Sequence, residues 1–200
     1  MSLTKGRDTR ARIVDAAFRL AARDGLSGLS LSELAAQLGI SKSGLFAHFR
    51  SKEDLQLATL QAAAEGFQHL VFKPAFTKAR GLPRLRAIME NWFKWEADPT
   101  MPGGCPFVAA AIELDDREGP VREFVATTTR DLQSALAWAA RLAVEEGHFQ
   151  SDTDCEQISF ELYGIVLAFH HASRLQRDPR SEKRARAAFN RLVESVSQPN

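Results

Sequence analysis

The sequence predicts an all-α fold of about nine helices in two domains. Three observations carry this. Apolar residues recur at i, i+3, i+4 and i+7 in one segment after another. No run alternates apolar and polar residues as a half-buried strand does. Gly and Pro clusters punctuate the chain at helical lengths. The chain has 200 residues, 44% of them hydrophobic, enough for one large or two small domains with a packed core. It shows no internal repeat and no low-complexity tract.

The first helix is predicted over residues 9–24, with Ile13, Val14, Ala17, Phe18 and Ala21 on one face. Residues 29–55, LSLSELAAQLGISKSGLFAHFRSKEDL, then read as two short helices, a tight turn between them, and the start of another helix. Ser30 stands three residues before Glu33, a capping box that starts a helix over 31–38. Leu31, Leu34, Ala35 and Leu38 make its apolar stripe. Gly39 follows where a left-handed residue closes a helix. Ser41 can cap the next helix, over 42–49, with Leu45 and Phe49 inward. Ser51 and Asp54 repeat the capping pattern. A fourth helix is predicted over 52–72, ended by Lys73-Pro74.

Further helices are predicted over 82–97, with Leu85, Ile88, Met89, Trp92 and Phe93 at helical spacing, and over 105–116. Gly119-Pro120 opens a long helix to Gly147, with Pro at the first-turn position that tolerates it. Its stripe is Val121, Val125, Thr128, Leu132, Leu136, Ala139 and Ala143. The last two helices are predicted over 154–175 and 179–196. One carries Ile158, Leu162, Ile165, Val166 and Phe169, with small Gly164, Ala168 and Ala172 at four-residue spacing. The other carries Ala185, Ala188, Phe189, Leu192 and Val196. Small ridges let helices approach closely, either within one chain or between two.

Net charge is +1, which alone points to no polyanion. Its distribution says more. Residues 1–55 hold nine Lys/Arg against six Asp/Glu, and residues 56–200 hold seventeen against nineteen. The basic excess therefore lies with the helix pair, as an electrostatic footprint on phosphate requires. MSLTKGRD lacks the apolar core of a signal peptide. The longest clean apolar run, 162–169, is far short of the ~20 residues that span a bilayer. A cytoplasmic protein is expected. Cys105 and Cys155 are too few for a disulfide framework. No metal site or cofactor is expected: His170 and His171 project to different sides of a helix, and His69 and His148 have no partner at ligand spacing.

A two-turn helix reached through a glycine turn suits the DNA major groove. Its outward residues are Lys42, Ser43, Phe46 and His48, with Gly44 allowing close approach. The other reading is a helical hairpin that only packs. The wider context decides between them: RDTRARIVDAAFRLAARDGLSGLSLSELAAQLGISKSGLFAHFRSKEDL resembles the tetracycline-repressor (TetR) family of bacterial transcription regulators. The resemblance is close over residues 7–65. Beyond it the likeness is one of architecture, although GGCPFVAAAIELDDREGPVR looks like a segment of one branch of the family.

The resemblance implies a DNA-binding domain over 1–52 and an effector-binding and dimerisation domain over 53–200, joined by helix 53–72. It implies no enzyme, but a regulator that binds a palindromic double-stranded operator as a homodimer and is released by a small molecule. DNA contacts are then expected from Ser30, Ser41, Lys42, Ser43, Gly44, Phe46, His48 and Lys52. Phe46 stands where many members have tyrosine, so it has no hydroxyl for a phosphate; Ala47 replaces a common polar residue. The basic residues Lys5, Arg7, Arg10 and Arg12 form either a minor-groove arm or a frayed terminus. The dimer face would use Ile158, Leu162, Gly164, Ile165, Ala168, Ala172, Phe189 and Leu192.

Met89, Trp92, Phe93, Phe107, Phe124, Trp138 and Tyr163 are candidates to line an effector pocket suited to a hydrophobic or aromatic ligand; the same residues could be plain core. Cys105, after Gly103-Gly104 and at a helix start, is either a small buried hydrophobe or a sensor of oxidants and electrophiles. Two remoter readings remain: a helical adaptor without DNA binding, and an enzyme using Cys105 with His148 or His170. No motif supports the latter.

Overall fold

The computed structural model describes residues 2–99, 101 and 104–198, with residues 2–5 and 7 described by their backbone alone. Among the described residues the fold is all helix, with one isolated bridge between Phe149 and Ser197. The helices are α1 (Ser2–Asp24), α2 (Leu31–Leu38), α3 (Lys42–Phe46), α4 (Lys52–Phe67, prolonged below), α5 (Leu82–Ala97), α6 (Pro106–Leu114), α7 (Pro120–Glu145), α8 (Cys155–Arg174) and α9 (Ser181–Val196). No helix among the described residues is long and apolar enough to cross a membrane.

The chain divides into two compact units. One comprises residues 1–66 and 99–127; the other comprises 67–98 and 128–200. The first unit has its own core: Ile13, Ala17 and Leu20 of α1, Leu34 of α2, Leu45 and Phe49, Leu55 and Leu60 of α4, Ala110 of α6, and Val121 and Val125 of α7. Its caps form as the sequence predicts. Ser30 Oγ accepts from the Glu33 amide at 3.3 Å, and Gly39 takes φ 65°. Ser41 Oγ accepts from Gly44 at 3.0 Å, and Ser51 Oγ from Asp54 at 3.1 Å. Helix α3 is shorter than expected, ending at Phe46; Phe49 beyond it is still buried. Helix α1 begins earlier than expected, at Ser2.

The expected break at Lys73-Pro74 does not occur. The α4 helix passes into a π turn, Gln68–Phe72, and then Lys73–Ala75. Pro74 would clash with the carbonyl four residues back in an α-helix and cannot donate to it. The wider π register removes that demand. Asn91 Nδ2 then donates to the Val71 carbonyl at 2.9 Å. Val71 and Ala75 are fully buried, so packing holds the irregular turn in place.

In the second unit α8 and α9 pack as a pair. Ile158, Leu162, Val166 and Phe169 of α8, with Ala185, Phe189 and Val193 of α9, are buried within the chain itself. Asp154 caps α8, its carboxylate accepting from the amides of Glu156 and Gln157 at 3.0 Å each.

Candidate functional site

The exposed side of α3 is built by its buried side. Leu45 and Phe49 are almost wholly out of solvent, while Lys42, Ser43 and Phe46 stand exposed. His48 is half-buried. Ser43 and Ser41 share a hydrogen bond of 3.0 Å between their hydroxyls, which holds both at the N-terminal edge of the helix. A Cβ on Gly44 would meet only Ser41 Oγ, at 3.1 Å, so the backbone is open to approach there. The Arg10 guanidinium lies 4.9 Å from the Phe49 ring centroid, a cation–π contact within the first unit. The side chains of Lys5 and Arg7, and Gly103, lie outside the described residues.

Besides Ser41, which caps α3, and Ser43, which is bonded to it, two expected DNA contacts already have hydrogen-bond partners within the chain. Ser30 Oγ serves the cap of α2. Lys52 Nζ donates to the Ser27 carbonyl at 2.7 Å. That bond is one of a set around the α1–α2 corner that the sequence reading missed. Glu113 of α6 accepts from the Leu26 amide at 3.1 Å and the Ser27 amide at 2.8 Å. Gln56 Nε2 donates to the Leu26 carbonyl at 2.8 Å. Gly25 has φ 78°, and a Cβ there would fall 2.0 Å from Glu113 Oε1; both facts require glycine.

The aromatic candidates fall into different units. Phe107 and Phe124 belong to the first, with ring centroids 6.4 Å apart. Met89, Trp92, Phe93, Trp138 and Tyr163 belong to the second. Trp138 is 54% exposed, with the Arg141 guanidinium 6.0 Å from its ring. Met89, Trp92 and Phe93 are buried. Phe93 packs edge-on to Phe169 and Phe189, whereas Trp92 turns to Phe67 at 5.4 Å and to Tyr163 at 6.3 Å. Trp95, which the sequence reading passed over, also meets Phe67, at 5.5 Å.

This cluster holds polar groups in apolar surroundings. The Glu96 side chain is 0% exposed. Its Oε2 accepts from His170 Nδ1 at 3.0 Å, and its backbone carbonyl accepts from Arg174 at 2.9 Å. Four buried side-chain polar atoms lack a hydrogen-bond partner among the described residues, and three of them fall within five positions: Trp92 Nε1, Trp95 Nε1 and Glu96 Oε1. A buried unpaired group costs ~1–3 kcal/mol, so their concentration in one helical turn calls for a cause. Glu96 had a sequence signal, since it extends the stripe of Leu85, Met89 and Trp92 by four residues and so places a carboxylate on a buried face.

The expected dimer face divides in two. Ile158, Leu162 and Phe189 are buried in their own chain. Gly164, Ile165, Ala168, Ala172 and Leu192 instead line a groove of about 800 Å³ between α8 and α9. Cys105 is buried, 6% exposed, at the N-terminal edge of α6 in the first unit, whereas His148 and His170 lie in the second. Among the described residues no group of His, Cys, Asp and Glu could hold a metal ion.

Residues 13–59 match the family of bacterial regulatory proteins named for tetR, and residues 81–189 match the tetracycline-repressor-like C-terminal domain. The chain belongs to the TetR family. It is a transcriptional regulator with a DNA-binding domain. It is 23% identical over 160 residues to the HTH-type transcriptional regulator YezE of Bacillus subtilis, covering 80% of this chain and 82% of that protein. Its fold is that of a TetR regulator from Chloroflexus aurantiacus, with TM-score 0.85 and 23% identity over 98% of this chain and 100% of the other. It also shares its fold with AibR, solved in complex with isovaleryl coenzyme A and operator DNA: TM-score 0.71, 22% identity, 96% and 99% of the two chains.

Proposed function

We propose that this regulator is a cytoplasmic homodimeric repressor that holds a palindromic operator and lets it go when a small hydrophobic or aromatic effector binds in residues 53–200. The observation that carries the reading is the two-sided α3 segment, with Leu45 and Phe49 anchoring it and Lys42, Ser43 and Phe46 left outward. Lys42 would meet phosphate or a guanine edge, Ser43 and Gly44 base edges, and Phe46 and His48 the backbone. A dimer formed across the α8–α9 groove would set two such segments about 34–36 Å apart, one turn of DNA. The AibR complex supports a regulator that meets both an organic ligand and operator DNA. A ligand acts as a switch only if it prefers the conformation that cannot bind the operator.

The test is a gel shift with DNA flanking the encoding gene, across salt, beside sedimentation of the free protein. The expected result is a dimer, nanomolar binding that weakens with salt, and protection of a palindrome. Lys42→Ala should weaken binding and reduce its salt dependence by about one counterion if Lys42 meets phosphate. No shift at low salt, or a monomer in sedimentation, overturns the reading.

A further inference from the structure

We infer that the effector is a planar aromatic molecule whose edge carries an N–H donor beside an acceptor, and that it docks on Trp92, Trp95 and Glu96. This inference rests on the effector reading above and narrows it. Positions 92, 95 and 96 share one face of α5 at i, i+3 and i+4, and both indoles meet the Phe67 ring, so their open polar atoms lie on one side of the helix. Glu96 Oε1 is an acceptor with no donor, while His170 engages the other oxygen. Each indole N–H donates and has no acceptor. A wholly apolar ligand would leave all three as they are. An anion would face a buried carboxylate. A lactam- or amidine-like edge answers both demands at once, and the rings of Phe67 and Tyr163 beside Trp92 offer flat apolar contact to the remainder.

The site is closed in this structure, since all three atoms are out of solvent contact. The ligand therefore enters by parting side chains, as at a cryptic pocket. Phe67, which packs against both indoles, stands where α4 gives way to the π turn. The ring that covers the site is thus carried at a change of backbone register.

Three neutral probes of similar shape separate the possibilities: 2-quinolinone with donor and acceptor, N-methyl-2-quinolinone with the acceptor alone, and naphthalene with neither. They are titrated into the full-length protein and followed by the indole N–H resonances, with exposed Trp138 as an internal reference. The expected result is at least about ten-fold tighter binding of 2-quinolinone than of its N-methyl analogue. The Trp92 and Trp95 signals should move and that of Trp138 should not. Glu96→Gln should abolish the preference while the N-methyl analogue binds as before. Equal affinities, a response confined to Trp138, no binding by any probe, or a preference that survives Glu96→Gln overturns the inference. If Glu96→Gln fails to fold, the probe series on the native protein decides alone. A parallel operator gel shift separates the two readings. If 2-quinolinone moves the two indoles while the operator stays bound, the ligand class stands and release fails. If naphthalene alone releases operator, release stands and the ligand class fails.

Discussion

The α1–α2 corner and the last turn of α5 both gather polar groups, and they treat them in opposite ways. At the corner, the amides of Leu26 and Ser27 meet Glu113, and their carbonyls meet Gln56 and Lys52. Every backbone group of that short segment has a partner. On α5 one carboxylate oxygen and two indole N–H groups are buried with none. Full satisfaction fixes geometry, which a segment leading into a DNA-reading pair of helices needs. Unpaired groups make the closed packing less stable than it could be, and anything that pairs them gains that difference. The contrast fits the roles proposed for the two regions.

The largest expected effect is at the corner. Glu113→Ala removes the acceptor of two amides at once, one part-buried and one exposed. A hydrogen bond to a charged group contributes ~1.5–3 kcal/mol, and the exposed Ser27 amide can return to water. The expected loss is about 2–3 kcal/mol, read as a fall in the urea midpoint. A loss under about 0.5 kcal/mol would mean that the corner is held by its packing and not by its carboxylate.

Trp95→Phe addresses the other half of the contrast. It removes an unpaired buried N–H and part of a ring. The relief and the lost area oppose each other, so stability should stay within about 1 kcal/mol of the parent. A loss above about 2 kcal/mol, by the same urea measurement, would show that the indole N–H has a partner and that α5 is no less satisfied than the corner.

These two regions also differ in how far the sequence revealed them. The reader was legible because its signals are local: Ser30 to Glu33, Gly39 and Ser41 lie within a few residues of the groups they cap. The corner clamp was not, since Glu113 reaches back 87 and 86 residues to Leu26 and Ser27. The α5 cluster was half legible. Trp92 lies on the predicted stripe, but the partner of Glu96 is His170, 74 residues away on another helix. The run through Pro74 was misread because a π turn depends on tertiary support from Asn91, which local pattern does not carry. The small residues of α8 line an open groove in the single chain and not a close helix contact within it. Spacing alone did not separate buried Ile158 and Leu162 from Ala168 and Ala172 in the groove.

The smallest expected effect concerns a polar contact of the second unit that is satisfied but lies near its surface. Glu90 and Arg186 pair through the two terminal guanidinium nitrogens, one at 3.1 Å and the other closer. The hydrogen bonds from Arg186 hold the Glu90 carboxyl below its ordinary range, and Arg186 and Lys94 add attraction. A carboxyl lowered in the folded state stabilises that state above the ordinary carboxylate pKa of ~4.3. It loses that contribution as pH falls from there through the lower folded value. Glu90→Gln should therefore unfold slightly more easily at pH 7 and lose less stability than the parent between about pH 5 and pH 3. The side chain is 41% exposed, so solvent screens the pair and the effect should be well below that at the corner. Urea midpoints measured across that range check it. If the variant and the parent lose stability in parallel with acid, the pair does not titrate with folding. The pair would then differ from the clamp on Leu26 and Ser27 in having no measurable electrostatic share in stability.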